Sequence, residues 1–263
     1  MTTTLDPKPP RLKSKSTGDP GRQGVITLPS KEPGPAGTVD REAIATGLGG
    51  GCTDVGVGKA SSVPPRVESL RMADLFSGTK SVSNVFKARG WEVETVDLLD
   101  GQDVKTWEPG DNYAFIWASP PCETFSVASI GTHWKMNGWA VPKTDRARDA
   151  LELVKTTFQK ILLANPKFYL VENPRGMLRK AWGSPADTTW WCQWGDERAK
   201  PTDLWGEAPP GLLPLPKCRN GATDHAEARR GAKTGTQGRK GLDRARIPER
   251  FTNHLIDVLE ACL

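Results

Sequence analysis

From residue 68 onward the apolar positions fall into short runs separated by stretches of helical spacing. Residues 68–76 read as a strand that breaks at Ser77-Gly78. Val82, Val85 and Phe86 then share one helical face, and Gly90 stands where a C-terminal cap belongs. Residues 92–97 predict a second strand ending in Asp97, and residues 100–104 a short edge element. Residues 113–118 form an apolar run that stops at Pro120-Pro121, because proline cannot donate a ladder hydrogen bond. A loop with glycine hinges at 131 and 138 follows, and Thr144 or Asp145 then caps a helix. In that helix Ala147, Ala150, Leu151, Val154, Phe158, Ile161 and Leu162 recur at helical spacing until Asn165-Pro166 stops it. Residues 168–171 predict a short buried strand ending at Glu172-Asn173-Pro174. Residues 190–195 suggest one more strand, and Pro248 opens a last helix that buries Phe251, Leu255, Val258 and Leu259. Alternation of strand and helix is the rhythm of a mostly parallel, doubly wound α/β sheet. Right-handed crossovers bring its strand ends to one edge, where open sheets bind ligands.

The 263 residues divide unevenly around that pattern. Residues 1–66 are Pro, Gly, Ser, Thr and Lys in no periodic order, which predicts a disordered tail in front of one domain over 67–263. No apolar run approaches the ~18 residues of a membrane span, and the start lacks the apolar block of a signal peptide. Five cysteines, at 52, 122, 192, 218 and 262, are odd in number and scattered, so a reducing cytoplasm is expected. The net charge of +5 admits a nucleic-acid partner. Residues 217–250 sharpen that picture, with ten Lys/Arg against four Asp/Glu. Arg229, Arg230 and Lys233 sit there in a glycine-rich tract suited to phosphate contacts. The stretch 207–245 therefore reads as a loop-rich basic insertion. Cys218 and His225, with Cys192, are too irregularly spaced to predict a metal site.

Candidate chemistry gathers at the predicted strand ends. Cys122 follows two prolines at the end of one strand, and Glu172 ends another. A thiolate attacks an electron-poor carbon, while a carboxylic acid beside it protonates or hydrogen-bonds the substrate. Asp74-Leu75-Phe76-Ser77-Gly78 ends the first strand, where a glycine lets a ligand approach backbone and a helix start offers amide donors. Asp97, about twenty residues on, is where an acidic side chain can hold ribose hydroxyls.

Taken in order, residues 74–78, 121–126 (Pro-Cys-Glu-Thr-Phe-Ser) and 172–174 resemble the motifs of the C5-cytosine DNA methyltransferases. Gln193 with Arg198 resembles the family's glutamine/arginine motif, and residues 200–206 and 230–238 resemble its short phage-encoded branch. The resemblance implies a Rossmann-like, S-adenosylmethionine-dependent methyltransferase fold acting on double-stranded DNA, here as a monomer. It implies cofactor contacts from Asp74, Phe76, Ser77, Gly78, Asp97, Leu98, Asp103, Val104 and Pro120. Cys122 would add to C6 of a flipped-out cytosine, Glu172 would bond N3 and the exocyclic amine, and Arg198 would help hold the nucleotide. Ser126, Trp134 and Gln193 join the basic tract as expected DNA contacts, Trp134 as a wedge into the base stack. The sequence departs from the family at Glu123, where glutamine is usual, which puts a negative charge beside the thiol. Two alternatives stay open: an inactive DNA-binding relative silenced by Glu123, and a pyrimidine methyltransferase acting on RNA.

Overall fold

A computed structural model describes residues 69–137, 139–213, 218 and 241–263, so the expected tail and Arg229, Arg230 and Lys233 lie outside it. Strands β1 (Arg71–Leu75), β2 (Glu92–Val96), β3 (Phe115–Ala118) and β6 (Phe168–Pro174) form the parallel part of a six-stranded sheet. Their order is β2-β1-β3-β6, continued by β8 (Pro201–Glu207) and then β7 (Asp187–Trp190). β8 runs antiparallel to both of its neighbours. The remaining strands, β4 (Trp134–Asn137) and β5 (Trp139–Pro142), make a separate antiparallel hairpin.

Side-chain alternation along the strands divides the core into two layers. Ala73, Leu75, Ile116, Ala118, Tyr169, Val171 and Trp205 face one side, where they meet α3 (Asp145–Ala164) and α4 (Leu178–Ala181). Met72, Phe115, Trp117, Leu170 and Leu204 face the other, beneath α1 (Ser83–Ala88) and α6 (Glu249–Cys262). Two short helices, α2 (Ile130–His133) and α5 (Gly241–Ala245), stand at the periphery. The result is the expected sandwich of helices on both faces of a mostly parallel sheet.

Local signals set most boundaries. Thr144 caps α3 by accepting the Ala147 N–H, and Asn165 closes it with φ 44°. Gly90, with φ +85°, ends the α1 turn as expected.

Five expectations change. Residues 100–104 form no strand: the Asp97 carboxylate accepts the Leu99 N–H, starting a 3-10 turn over Leu98–Asp100 that Gly101 closes with φ +78°. The loop with glycine hinges carries α2 and the β4–β5 hairpin. Residues 191–194 are a 3-10 turn after β7, because Trp191, Cys192 and Trp194 are all buried, a pattern that strand alternation cannot supply. In α6 Thr252 and Ile256 are buried while Val258 is only half-buried. The fifth change is β8, which extends the pairing of β6 as far as Pro174 opposite Thr202.

Candidate active site

β1, β3 and β6 lie side by side; β1 and β3 end together, with Leu75 opposite Ala118, while β6, whose Val171 faces Ala118, runs on to Pro174. Beyond Ala118 the two prolines turn the chain, and Cys122 arrives at this edge half-buried. Glu172 is the next residue after the matched pair on β6 and is 5% exposed. Asn173 fixes the turn from the other side: it is fully buried, and its Nδ2 donates to the Pro120 carbonyl at 3.0 Å.

The antiparallel β8 delivers its first residues to the same edge. Just before it, Lys200 is 6% exposed, with Nζ 3.9 Å from Glu172 Oε1 and 2.7 Å from the Arg244 carbonyl. Burial, then the Glu172 charge, push the Cys122 thiol above its ordinary pKa; Lys200 opposes this, and Glu123 adds to it. Burial likewise raises the Glu172 carboxyl, against the pull of Lys200 and a Ser119 hydrogen bond. Glu172 Oε1 has no hydrogen-bond partner although it is buried. A thiol, a carboxyl and an ammonium thus share one electrostatic neighbourhood at the carboxyl edge of the sheet.

A second group of residues lines the same edge at β1 and β2. Asp97 Oδ2 accepts the Gly78 N–H at 2.9 Å and Oδ1 the Leu99 N–H at 2.8 Å, which ties the loop after β1 to the end of β2. Phe76 is half-buried with φ 61°, and the Ser77 hydroxyl is buried without a hydrogen-bond partner. Leu98 is 73% exposed beside them. Asp103 accepts the Lys105 N–H, while Val104 and Pro120 are buried.

Asp74 is buried at 2% exposure and accepts the Ser83 N–H at 3.1 Å. Burial pushes its carboxyl up to about 7. Ionising it therefore costs the folded state, and stability is expected to fall as pH rises from the ordinary carboxylate range near 4 towards about 7. Asp74→Asn keeps the acceptor and removes the charge, so its melting temperature should lose that slope in melts between pH 5 and 8. An equally steep slope in the variant would assign the titration to another group.

In a match 215 residues long that covers 72% of this chain and the whole of the relative, the sequence is 30% identical to a probable DNA (cytosine-5)-methyltransferase of Frog virus 3 (isolate Goorha). The chain belongs to the DNA (cytosine-5)-methyltransferase family. No family model matches it. Among solved structures, an Escherichia coli prophage protein described as a DNA modification methyltransferase is 16% identical. The match covers 53% of this chain and 47% of that one, with a TM-score of 0.37.

Two expected site residues of this methyltransferase play other parts. Trp134 is 3% exposed, packs on Phe125 at 5.7 Å between ring centroids, and donates its indole N–H to the Thr124 carbonyl at 2.7 Å. It anchors the loop after Cys122 and presents no face for wedging. Arg198 is 5% exposed, paired with Asp196, and donates to the Asp243 carbonyl at 2.8 Å. Its guanidinium holds the first residues of α5 through the Asp243 carbonyl. The cation beside the thiol is Lys200, to which the sequence motifs give no role. The resemblance of residues 200–206 does not reveal this place, because it depends on the antiparallel direction of β8. Ser126 and Gln193 are half-buried, with the Ser126 hydroxyl 3.2 Å from that of Ser129.

Proposed function

We propose that this methyltransferase transfers a methyl group from S-adenosylmethionine to C5 of cytosine in double-stranded DNA, through a covalent bond between Cys122 and C6. The observation that carries the reading is the convergence of Cys122, Glu172 and Lys200 at one sheet edge in a chain of this family. Phe76, Ser77, Gly78, Asp97 and Leu98 would hold the cofactor. The orphaned Ser77 hydroxyl, the carboxylate of Asp97 and the exposed apolar Leu98 fit a ligand that has hydroxyl groups and a flat apolar ring. When bound, the cofactor supplies an electrophilic methyl group.

Cys122, as thiolate, donates its electron pair to C6 and thereby makes C5 electron-rich. Glu172, whose carboxyl burial pushes above its ordinary pKa, donates to N3 when protonated and accepts from the exocyclic amine, so charge pushed into the ring is held there. Once C5 carries the methyl group, loss of its proton returns the electron pair to the ring and expels the Cys122 thiolate. Lys200 stands beside Glu172, with Nζ 3.9 Å from Oε1.

Duplex DNA with 5-fluorocytosine at the target has no proton to lose from C5 after the transfer. Incubation with the cofactor is expected to leave a protein–DNA adduct that survives denaturing electrophoresis, and Cys122→Ala should form none. Absence of an adduct from the parent protein, with unmodified cytosine also left unmethylated, would overturn the proposal.

A further inference from the structure

Pro174–Met177 is a short link wedged between the two walls of the site. On one side the Arg175 N–H donates to the Pro201 carbonyl at 3.0 Å. On the other, the Met177 N–H donates to the Phe125 carbonyl at 2.7 Å. Gly176 lies so close to that carbonyl that a Cβ would stand 2.3 Å from its oxygen, so any other residue would push the Cys122 loop away. The link is therefore fixed at both ends, three residues beyond Glu172 and within four of Cys122 through Phe125.

Arg175 is the cation on this link, and it is exposed. Its guanidinium lies 5.8 Å from the centroid of the Trp190 ring. Trp190 ends β7 opposite Pro201, so the two side chains meet across the start of β8, next to Lys200. Among the described residues no carboxylate forms a salt bridge with Arg175. Stacking on an indole extends a long side chain and reduces the rotamer freedom it must lose on binding. Among the described residues no hydrogen-bond acceptor holds its guanidinium, a planar fork that matches phosphate oxygens. Arg179, one turn on, differs: it is bonded to Asp203 and Thr188.

We infer that Arg175, laid on Trp190, is a phosphate-binding residue that grips the DNA backbone next to the cytosine presented to Cys122. This deepens the function proposed above and rests on it. The ligand is a phosphodiester oxygen, so the contact positions the strand and carries no sequence preference.

The test measures binding of the Cys122→Ala protein to duplex DNA over a range of salt concentrations, which separates binding from chemistry. Neutralising one phosphate contributes about 0.9 to the slope of log affinity against log salt. Arg175→Gln is expected to lower that slope by about one, and to weaken binding similarly for different sequences. Arg175→Lys should keep most of the slope, and Trp190→Leu should lose affinity through a less ordered guanidinium. In the catalytically intact protein, Arg175→Gln should raise KM for DNA with little change in kcat. A slope and KM unchanged in Arg175→Gln, at an unchanged melting temperature, would overturn this inference and leave the methyl-transfer proposal standing. Failure of the parent protein to bind duplex DNA at any salt would overturn both.

Discussion

Cys122→Ala is expected to lower cytosine methylation by about 10³-fold or more, the scale seen when a nucleophile is removed from a group that acts as a unit. Duplex binding should survive, because the proposed DNA and cofactor contacts lie on other residues. The side chain is half-buried and small, so the melting temperature should move little. Tritium incorporation from labelled cofactor into duplex DNA, read beside a gel-shift titration, measures both. Loss of binding together with activity would point to a collapsed site, and full retention of activity would remove the thiol from the mechanism.

Glu172→Gln and Lys200→Met are expected to move the Cys122 thiol in opposite directions. Glu172 raises the thiol pKa and Lys200 lowers it, so neutralising the carboxylate should bring the thiol down and neutralising the ammonium should take it up. Alkylation by iodoacetamide follows the thiolate fraction. Its pH midpoint should shift to lower pH in Glu172→Gln and to higher pH in Lys200→Met. Methylation nevertheless should fall in Glu172→Gln, by about 10² to 10⁴-fold, since the proton donor to the ring is gone. A more reactive thiol with a slower enzyme is the signature that distinguishes an acid from a mere neighbour. Midpoints that move together, or not at all, would remove Glu172 and Lys200 from control of the thiol.

The parallel strands are legible in the sequence because apolar runs end at sharp local signals. Proline at 120 and 121, and a carboxylate after Val96, mark ends that any tertiary context would respect. Gly90 and Asn165 likewise close their helices where expected. The family resemblance also rests on residues at these ends, which is why the sequence alone pairs Cys122 with Glu172. Between Trp182 and Pro248 the chain carries no comparable strand ends. Trp191 and Trp194 look like strand because their burial against α6 depends on a helix nearly sixty residues away. β8 escapes a sequence reading because an antiparallel strand inside a parallel sheet is set by its partners, and Lys200 goes with it. Trp134 and Arg198 take inward roles against expectation because a motif fixes residue type but not which side of a loop a side chain occupies.

The tethering of α5 has a consequence for what the catalytic body tolerates. Lys200 and Arg198 grip the carbonyls of residues 244 and 243, while Leu212 is fully packed beneath α6. Both stems of the segment between residues 213 and 241 are therefore clamped to the catalytic body by bonds that ignore what lies between them. Closure entropy rises by only about 0.6 kcal/mol when the length between two fixed ends doubles, so substituting, lengthening or trimming that segment should leave the chemical machinery assembled.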